Sequence, residues 1–283
     1  MSMSLDPVIL VNGILTDSLP VTDRGLAYGD GLFETVQLQD GRPLLLEAHF
    51  ERLLQGCRRL GIASEGLVAR LRDDLSRLAS MQDLAAWGVL KITVTRGAGG
   101  RGYLPLPDLV PTRILMLSRA PVHADAPAVN GVRVRLCDLR LALSPRLAGI
   151  KHLNRLEQVL ARAEWTDPAI REGLLLDQEG WLVEGTMSNL FWVCAGRIFT
   201  PQLDRSGVSG IVRNRLLALA SEEGLEVEEG RYPLSHLEQA DEAWLCNSLI
   251  DIWPVTALAE RCWPVGPVTR RLQQLLTEDY RAC

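Results

Sequence analysis

The sequence predicts an α+β chain of two domains. Short runs rich in β-branched residues alternate with apolar stripes at helical spacing in both halves of the 283 residues. Between the halves lies Ala120 to Asn130, with two Pro, four Ala and little periodicity, which reads as a linker. The length suits two medium domains, expected at residues 1–119 and 131–283 with the linker at 120–130.

Val8 to Val11 predicts a strand, and Asn12-Gly13 a hairpin turn. Asp23 to Gly31 holds three Gly and two Asp, the composition of side-chain-capped turns. Leu32 to Leu38 reads as a strand turned back at Asp40-Gly41. Glu47 to Leu60 places Phe50, Leu53, Leu54, Cys57 and Leu60 at helical spacing, and Gly61 ends it. Leu67 to Leu78 repeats the pattern; Trp87 to Thr95 and Arg113 to Leu117 are strands.

In the second half Val132 to Leu136 is a strand and Asn154 to Trp165 a helix. Asn154 and Glu157 have the spacing of a capping box, and Leu156, Val159, Leu160 and Ala163 form the expected buried stripe. Strands are expected at 174–176, 190–193, 197–200, around Val227, at 243–246 and at 251–255. Helices are expected from Ser209 to Ala220 and after Pro267.

A net charge of −5 and a pI near 5.5 argue against a nucleic-acid partner, which needs a basic face. Six Cys, at 57, 137, 194, 246, 262 and 283, include no C-x-x-C pair, as suits reduced thiols in a cytoplasmic protein. The N-terminus has neither the basic nor the apolar region of a signal peptide, and no apolar run is long enough for a membrane span. Four scattered His give no metal-ligand pattern.

Gly97-Ala98-Gly99-Gly100-Arg101-Gly102 fits G-x-G-x-x-G, but Pro105 and Pro107 forbid the helix that a dinucleotide site requires. The loop instead brackets Arg96 and Arg101, which suit a carboxylate. Lys151 is one of only two lysines, with Lys91, and sits between Ile150 and Leu153. A desolvated lysine loses its proton toward neutral pH and can then form an imine. Taken alone, a lysine with a solvated tip explains the stretch as well. Glu184 leads a hydroxyl-rich turn, Gly185-Thr186-Met187-Ser188, into a strand. Gly207-Val208-Ser209-Gly210 opens a helix with small residues, as an anion cradle would. A lone imine-forming lysine, an acid for a ring nitrogen and a phosphate cradle are the three needs of pyridoxal phosphate.

At these residues the chain resembles the class IV aminotransferase family, the fold-type IV pyridoxal-phosphate enzymes. The order Lys151, then Glu184-Gly-Thr-x-Ser-Asn-Leu-Phe, then Gly207-Val208-Ser209 carries the resemblance, which runs from Asn12-Gly13 to Pro254-Val255. It implies a small N-terminal α/β domain and a larger C-terminal cofactor-binding domain with a barrel-like β core. It implies pyridoxal 5'-phosphate, with Lys151 as the Schiff-base lysine and Glu184 at the pyridine nitrogen. Arg52, Val208, Ser209 and Ser248 would hold the phosphate. Two stretches, Ile150 to Glu157 and Arg96 to Tyr103, resemble the lyase branch, which splits 4-amino-4-deoxychorismate into 4-aminobenzoate and pyruvate for folate synthesis. Tyr28, Arg96, Arg101, Tyr103 and Asn247 are then the substrate-binding candidates and Thr35 the proton relay. Glu34, in Phe33-Glu34-Thr35, is common in the transaminase form, which keeps a branched-chain or D-amino acid transaminase as the alternative. The family also implies a homodimer acting on a small molecule.

Overall fold

The structure, a computed structural model, describes residues 7–282. The N-terminal residues read above for a signal, and Cys283, lie outside the described residues. Clustering of backbone contacts divides the chain into two units. The first runs to Pro121 and takes in Ile150–Asn154; the second holds Val122–Gly149 and everything from Arg155 onward. The lysine segment therefore belongs to the N-terminal unit, although some 30 residues separate it in sequence from the rest of that unit.

The first unit contains β1 (Val8–Val11), β2 (Ile14–Leu15), α1 (Arg24–Tyr28), β3 (Gly31–Gln39), β4 (Arg42–Pro43), α2 (Leu46–Leu60), α3 (Leu67–Met81), β5 (Val89–Thr95) and β6 (Thr112–Ser118). Its strands form one sheet in the order β2-β1-β6-β5-β3-β4, with antiparallel pairing throughout. Period-two alternation decides the faces of β3. Leu32, Glu34, Val36 and Leu38 are buried, while Phe33, Thr35 and Gln37 on the other face are half-buried. The expected turn at 23–31 contains a helical turn, α1, capped by Asp23, whose carboxylate accepts the Gly25 N–H at 2.8 Å.

The second unit contains α4 (Pro127–Asn130), β7 (Val132–Leu141), α5 (Leu156–Arg162), β8 (Ile170–Asp177), β9 (Leu182–Gly185), β10 (Asn189–Cys194), β11 (Arg197–Pro201), α6 (Ile211–Glu222), β12 (Val227–Gly230), α7 (Leu234–Glu238), β13 (Glu242–Asn247), β14 (Asp251–Leu258), β15 (Arg261–Cys262) and α8 (Pro267–Ala282). Its mixed sheet runs β12-β11-β10-β13-β14-β7-β8-β9, with β15 beside β14. The sheet curls, because β9, last in that order, packs back against β10 and β11, and Leu182 donates to the Tyr232 carbonyl at 2.9 Å. The curled sheet wraps a core of Leu174, Leu190, Trp192, Leu245, Trp253 and Val255, the barrel-like centre that the resemblance implies.

One helix differs from expectation. The predicted helix at Asn154–Trp165 is only Leu156–Arg162, and among its residues only Ala161 is buried. Leu156, Val159 and Leu160 are 75%, 60% and 61% exposed. The capping box is absent: Asn154 Nδ2 donates to the Gly29 carbonyl at 3.0 Å, and Glu157 accepts the Ala142 N–H at 2.8 Å. Local pattern predicted a buried stripe, and tertiary packing left that stripe facing outward. Within the expected linker, Pro127–Asn130 forms a helical turn. Glu184 lies in a strand, β9, which no expected element covered, and the hydroxyl-rich turn follows it.

Candidate active site

In the first unit, backbone pairing fixes the lysine. Phe33 donates its N–H to the Lys151 carbonyl, and Leu153 donates to the Gly31 carbonyl, both at 3.0 Å. His152 thus bridges to Leu32, and the segment runs as an extra piece of strand along β3. Lys151 Nζ lies 4.4 Å from the centre of the Phe33 ring. Thr35 shares that face of β3 two residues on.

The opposite face of β3 carries a buried charge cluster. Glu34 accepts Arg52 Nε at 2.8 Å and the Arg52 Nη2 as well, and it meets His49 Nδ1 at 2.6 Å. Burial pushes the Glu34 carboxyl up, but the Arg52 guanidinium and the two hydrogen-bonding partners outweigh it and hold the group below its ordinary value. Burial drives His49 the other way, toward its neutral form. Arg52, the expected phosphate arginine, is thus held along one edge by Glu34. Glu34 itself sits on the face away from Thr35, so its presence says nothing about how substrate is handled.

The Arg96–Tyr103 loop is clamped from beneath. Asp30 accepts Arg24 Nε at 2.9 Å and Arg96 Nε at 2.7 Å. Burial raises the Asp30 carboxyl, and the two arginines more than offset this and hold it low. Arg24 also donates to the carbonyls of Gly102 (3.0 Å) and Tyr103 (2.8 Å) and lies 4.8 Å over the Tyr28 ring. Tyr28 and Tyr103 rings are 5.6 Å apart. Arg96 Nη2 donates to Asp30 as well and to the Leu60 carbonyl, and Nη1 donates to the Gly61 carbonyl, so four of its five N–H donors serve the protein. The expectation that Arg96 grips a substrate carboxylate therefore does not fit; its guanidinium is part of the loop's frame. Arg101 is exposed and makes no ion pair or hydrogen bond among the described residues. Tyr103 is 86% exposed.

In the second unit, buried Glu184 accepts the Val208 N–H on Oε2 at 2.8 Å. Asn189 Nδ2 donates to the Val208 carbonyl at 2.9 Å. The Ser209 N–H goes to the Gly149 carbonyl at 3.0 Å, and its hydroxyl meets Asn214 Oδ1 at 3.2 Å. Both N–H groups expected to receive a phosphate are thus taken. The orphan donors lie one step later, in the first turn of α6 at Ile211 and Val212, where the capping position is Gly210 and no side chain caps the helix. A Cβ at Gly210 would stand 2.0 Å from Asn189 Oδ1, so only glycine lets the two segments approach.

Glu172 on β8 organises the turn after Glu184. Its carboxylate accepts the N–H groups of Gly173 (2.9 Å), Thr186 (3.1 Å) and Met187 (3.1 Å), and the hydroxyls of Thr186 (2.5 Å) and Ser188 (2.8 Å). The hydroxyls of the motif therefore serve Glu172. Asn247, expected at the substrate, instead accepts the N–H groups of Leu249 and Ile250 and donates to the Met187 carbonyl, stitching the Ser248 turn to this one. Arg155 lies close by: burial lowers its proton affinity, and Glu184 is the largest charge opposing that. Sequence reasoning missed Phe33, Glu172, Arg155 and Arg24. Arg24, Phe33 and Arg155 lie in stretches that the sequence singles out, whereas Glu172 carried no signal.

The chain belongs to the class IV aminotransferase family, whose model matches residues 31–258. Within that family it is 37% identical to an aminodeoxychorismate lyase of Vibrio harveyi, over 93% of this chain and 97% of the relative. The crystal structure of 4-amino-4-deoxychorismate lyase from Pseudomonas aeruginosa superposes with a TM-score of 0.91 at 48% identity, covering 96% of this chain and 99% of that one. A putative branched-chain-amino-acid aminotransferase of Methanocaldococcus jannaschii is 31% identical over 94% of each chain. The family's cofactor is pyridoxal 5'-phosphate. The donor set fits it: orphan N–H groups at the start of a twelve-residue helix for a phosphate, a buried carboxylate with a fixed oxygen for a ring N–H, and a primary amine for an aldehyde.

Proposed function

We propose that the chain is a pyridoxal-phosphate-dependent carbon–oxygen lyase that converts 4-amino-4-deoxychorismate into 4-aminobenzoate and pyruvate. The observation that carries this is full-length likeness to proteins described as such lyases, at 48% and 37% identity.

Lys151 would anchor the cofactor and Glu184 would hold its ring nitrogen. The α6 N-terminus, Arg52 and Ser248 would take its phosphate. Bound there, the cofactor supplies an electron-accepting ring conjugated to the substrate's amine. Lys151 Nζ, as a neutral amine, would take the proton from the amine-bearing ring carbon of the substrate. Glu184 keeps the pyridine nitrogen protonated, with Arg155 favouring the carboxylate form. Loss of the enolpyruvyl ether makes the substrate ring aromatic, and we assign Thr35 Oγ1 the proton delivered to the departing methylene. Arg101, Tyr103 and Tyr28 are the assigned substrate contacts, with Arg96 and Asn247 as frame residues. Because aromatisation drives the step, the chain's task is positioning and charge placement.

The exposed stripe of Leu156, Val159 and Leu160 supports a homodimer with α5 in its interface. Among the described residues the cysteines are free thiols and no helix is long and apolar enough to cross a membrane, which supports a cytoplasmic placement. The deciding assay is purified protein with cofactor and aminodeoxychorismate alone. The lyase reading expects equal amounts of 4-aminobenzoate and pyruvate; turnover only after a keto acid is added would replace it with the transaminase reading.

A further inference from the structure

Only two of the 30 Lys and Arg residues are lysines, and both meet at one ring. Lys151 Nζ is 4.4 Å and Lys91 Nζ 5.4 Å from the centre of Phe33. The register explains the second distance. Lys91 on β5 is the direct cross-strand partner of Thr35, so it stands on the same sheet face as Phe33. The two amines are no further apart than those two distances together, about one Debye length at physiological salt.

On the opposite face of β3, Glu34 meets Arg52 and His49 of α2. Glu34 and Arg52 pair with each other, and burial holds His49 toward its neutral form while the Lys151 charge acts in the same direction. Lys91 is the ammonium that β5 sets on the Phe33 ring beside the Lys151 amine. The ring attracts either ammonium, but it cannot hold both without their repulsion.

We propose that Lys91 is a positioning residue for Lys151: brought to the Phe33 ring by β5, its charge disfavours a second ammonium there and shifts Lys151 Nζ toward the neutral form that attacks aldehydes and accepts protons. A like charge beside an amine is an established way of activating a lysine nucleophile. Its use in catalysis rests on Lys151 being the cofactor's lysine; the coupling between the two amines does not.

The test uses the full chain freed of cofactor. Acetic anhydride is applied over a range of pH, and the tryptic peptide bearing Lys151 is followed by mass spectrometry. The pH midpoint of Lys151 acetylation should rise by about half to one unit in Lys91→Met, so its reactivity below the midpoint falls about three- to tenfold. Lys91→Arg, which keeps the charge, should retain the wild-type midpoint. Lys91→Gln gives a second neutral variant, and melting curves confirm that each is folded. Coincident midpoints in wild type and both neutral variants overturn the proposal. Addition of pyridoxal phosphate reads the other assignment separately. If no absorbance band of a lysine-bound cofactor develops in the wild type, the cofactor role of Lys151 fails, while a Lys91-dependent midpoint would still establish the coupling.

Discussion

Glu184 accepts the backbone N–H of Val208 at 2.8 Å, so one oxygen of the acid is already committed before any cofactor is considered. Asn189 holds the other side of the same residue through its carbonyl. The carboxylate thus has a fixed direction set by backbone, and Glu184, Asn189 and Val208 act together as one brace.

Glu184→Gln keeps an acceptor for Val208 and removes the charge. We expect kcat to fall about a hundredfold or more, the usual scale for losing a preorganised electrostatic partner, with melting unchanged within a few degrees. Steady-state kinetics beside a melting curve check it; near wild-type kcat would remove Glu184 from the ring nitrogen.

Glu172→Ala strands three backbone N–H groups and two hydroxyls in a buried turn. A loss of about 3–5 kcal/mol is expected, seen as a drop of several degrees in Tm. Glu172→Gln, which can still accept on one oxygen, should fall between the two.

Arg24→Ala frees the carbonyls of Gly102 and Tyr103 from their clamp. KM for aminodeoxychorismate should rise about tenfold with kcat changed far less, because the loop and not the reacting centre is loosened. Arg24→Lys should rescue little, since a point charge cannot reproduce the fork.

Acid should weaken the first unit in two stages. His49 is depressed below its ordinary 6.5 by burial, so the unfolded chain protonates first and stability falls as pH drops below that value. Glu34 is also depressed, below 4.5, so the stability it contributes above that pH is lost as pH falls further. Tm measured from pH 8 down to about pH 2 should show both stages, and His49→Gln should abolish the upper one.

Leu156→Glu with Leu160→Glu places charge on an exposed apolar stripe without touching the buried Ala161. Light scattering should show a dimer in the wild type and a monomer in the double variant. A folded double variant that stays dimeric would exclude α5 from the interface.

The family and the candidate residues were readable from residue order. Lys151 stood out because lysines are scarce, and Glu184 because an acid led a run of small hydroxyl residues. The strands expected at 32–38, 87–95 and 113–117 are found, the second read from its β-branched run, and α2 was legible from its stripe and its terminal glycine. The misreadings share one cause, that spacing reports what a segment can do locally and not what meets it. Leu156, Val159 and Leu160 have a core helix's spacing but face outward in this chain. Asn154 has a capping residue's chemistry but a better partner in Gly29, 125 residues away in sequence.

The sequence by itself determined the two-part α+β organisation and singled out Lys151, Glu184 and the glycine-opened helix as candidates. Only the tertiary structure decided which N–H groups remain for a phosphate, that Arg96 braces while Arg101 is exposed, that Glu34 looks away from Thr35, and that both lysines share one ring. The physical reason is that donors and charges are consumed by partners distant in sequence. Which of them remain available for chemistry is a property of pairing in space, which residue order does not express.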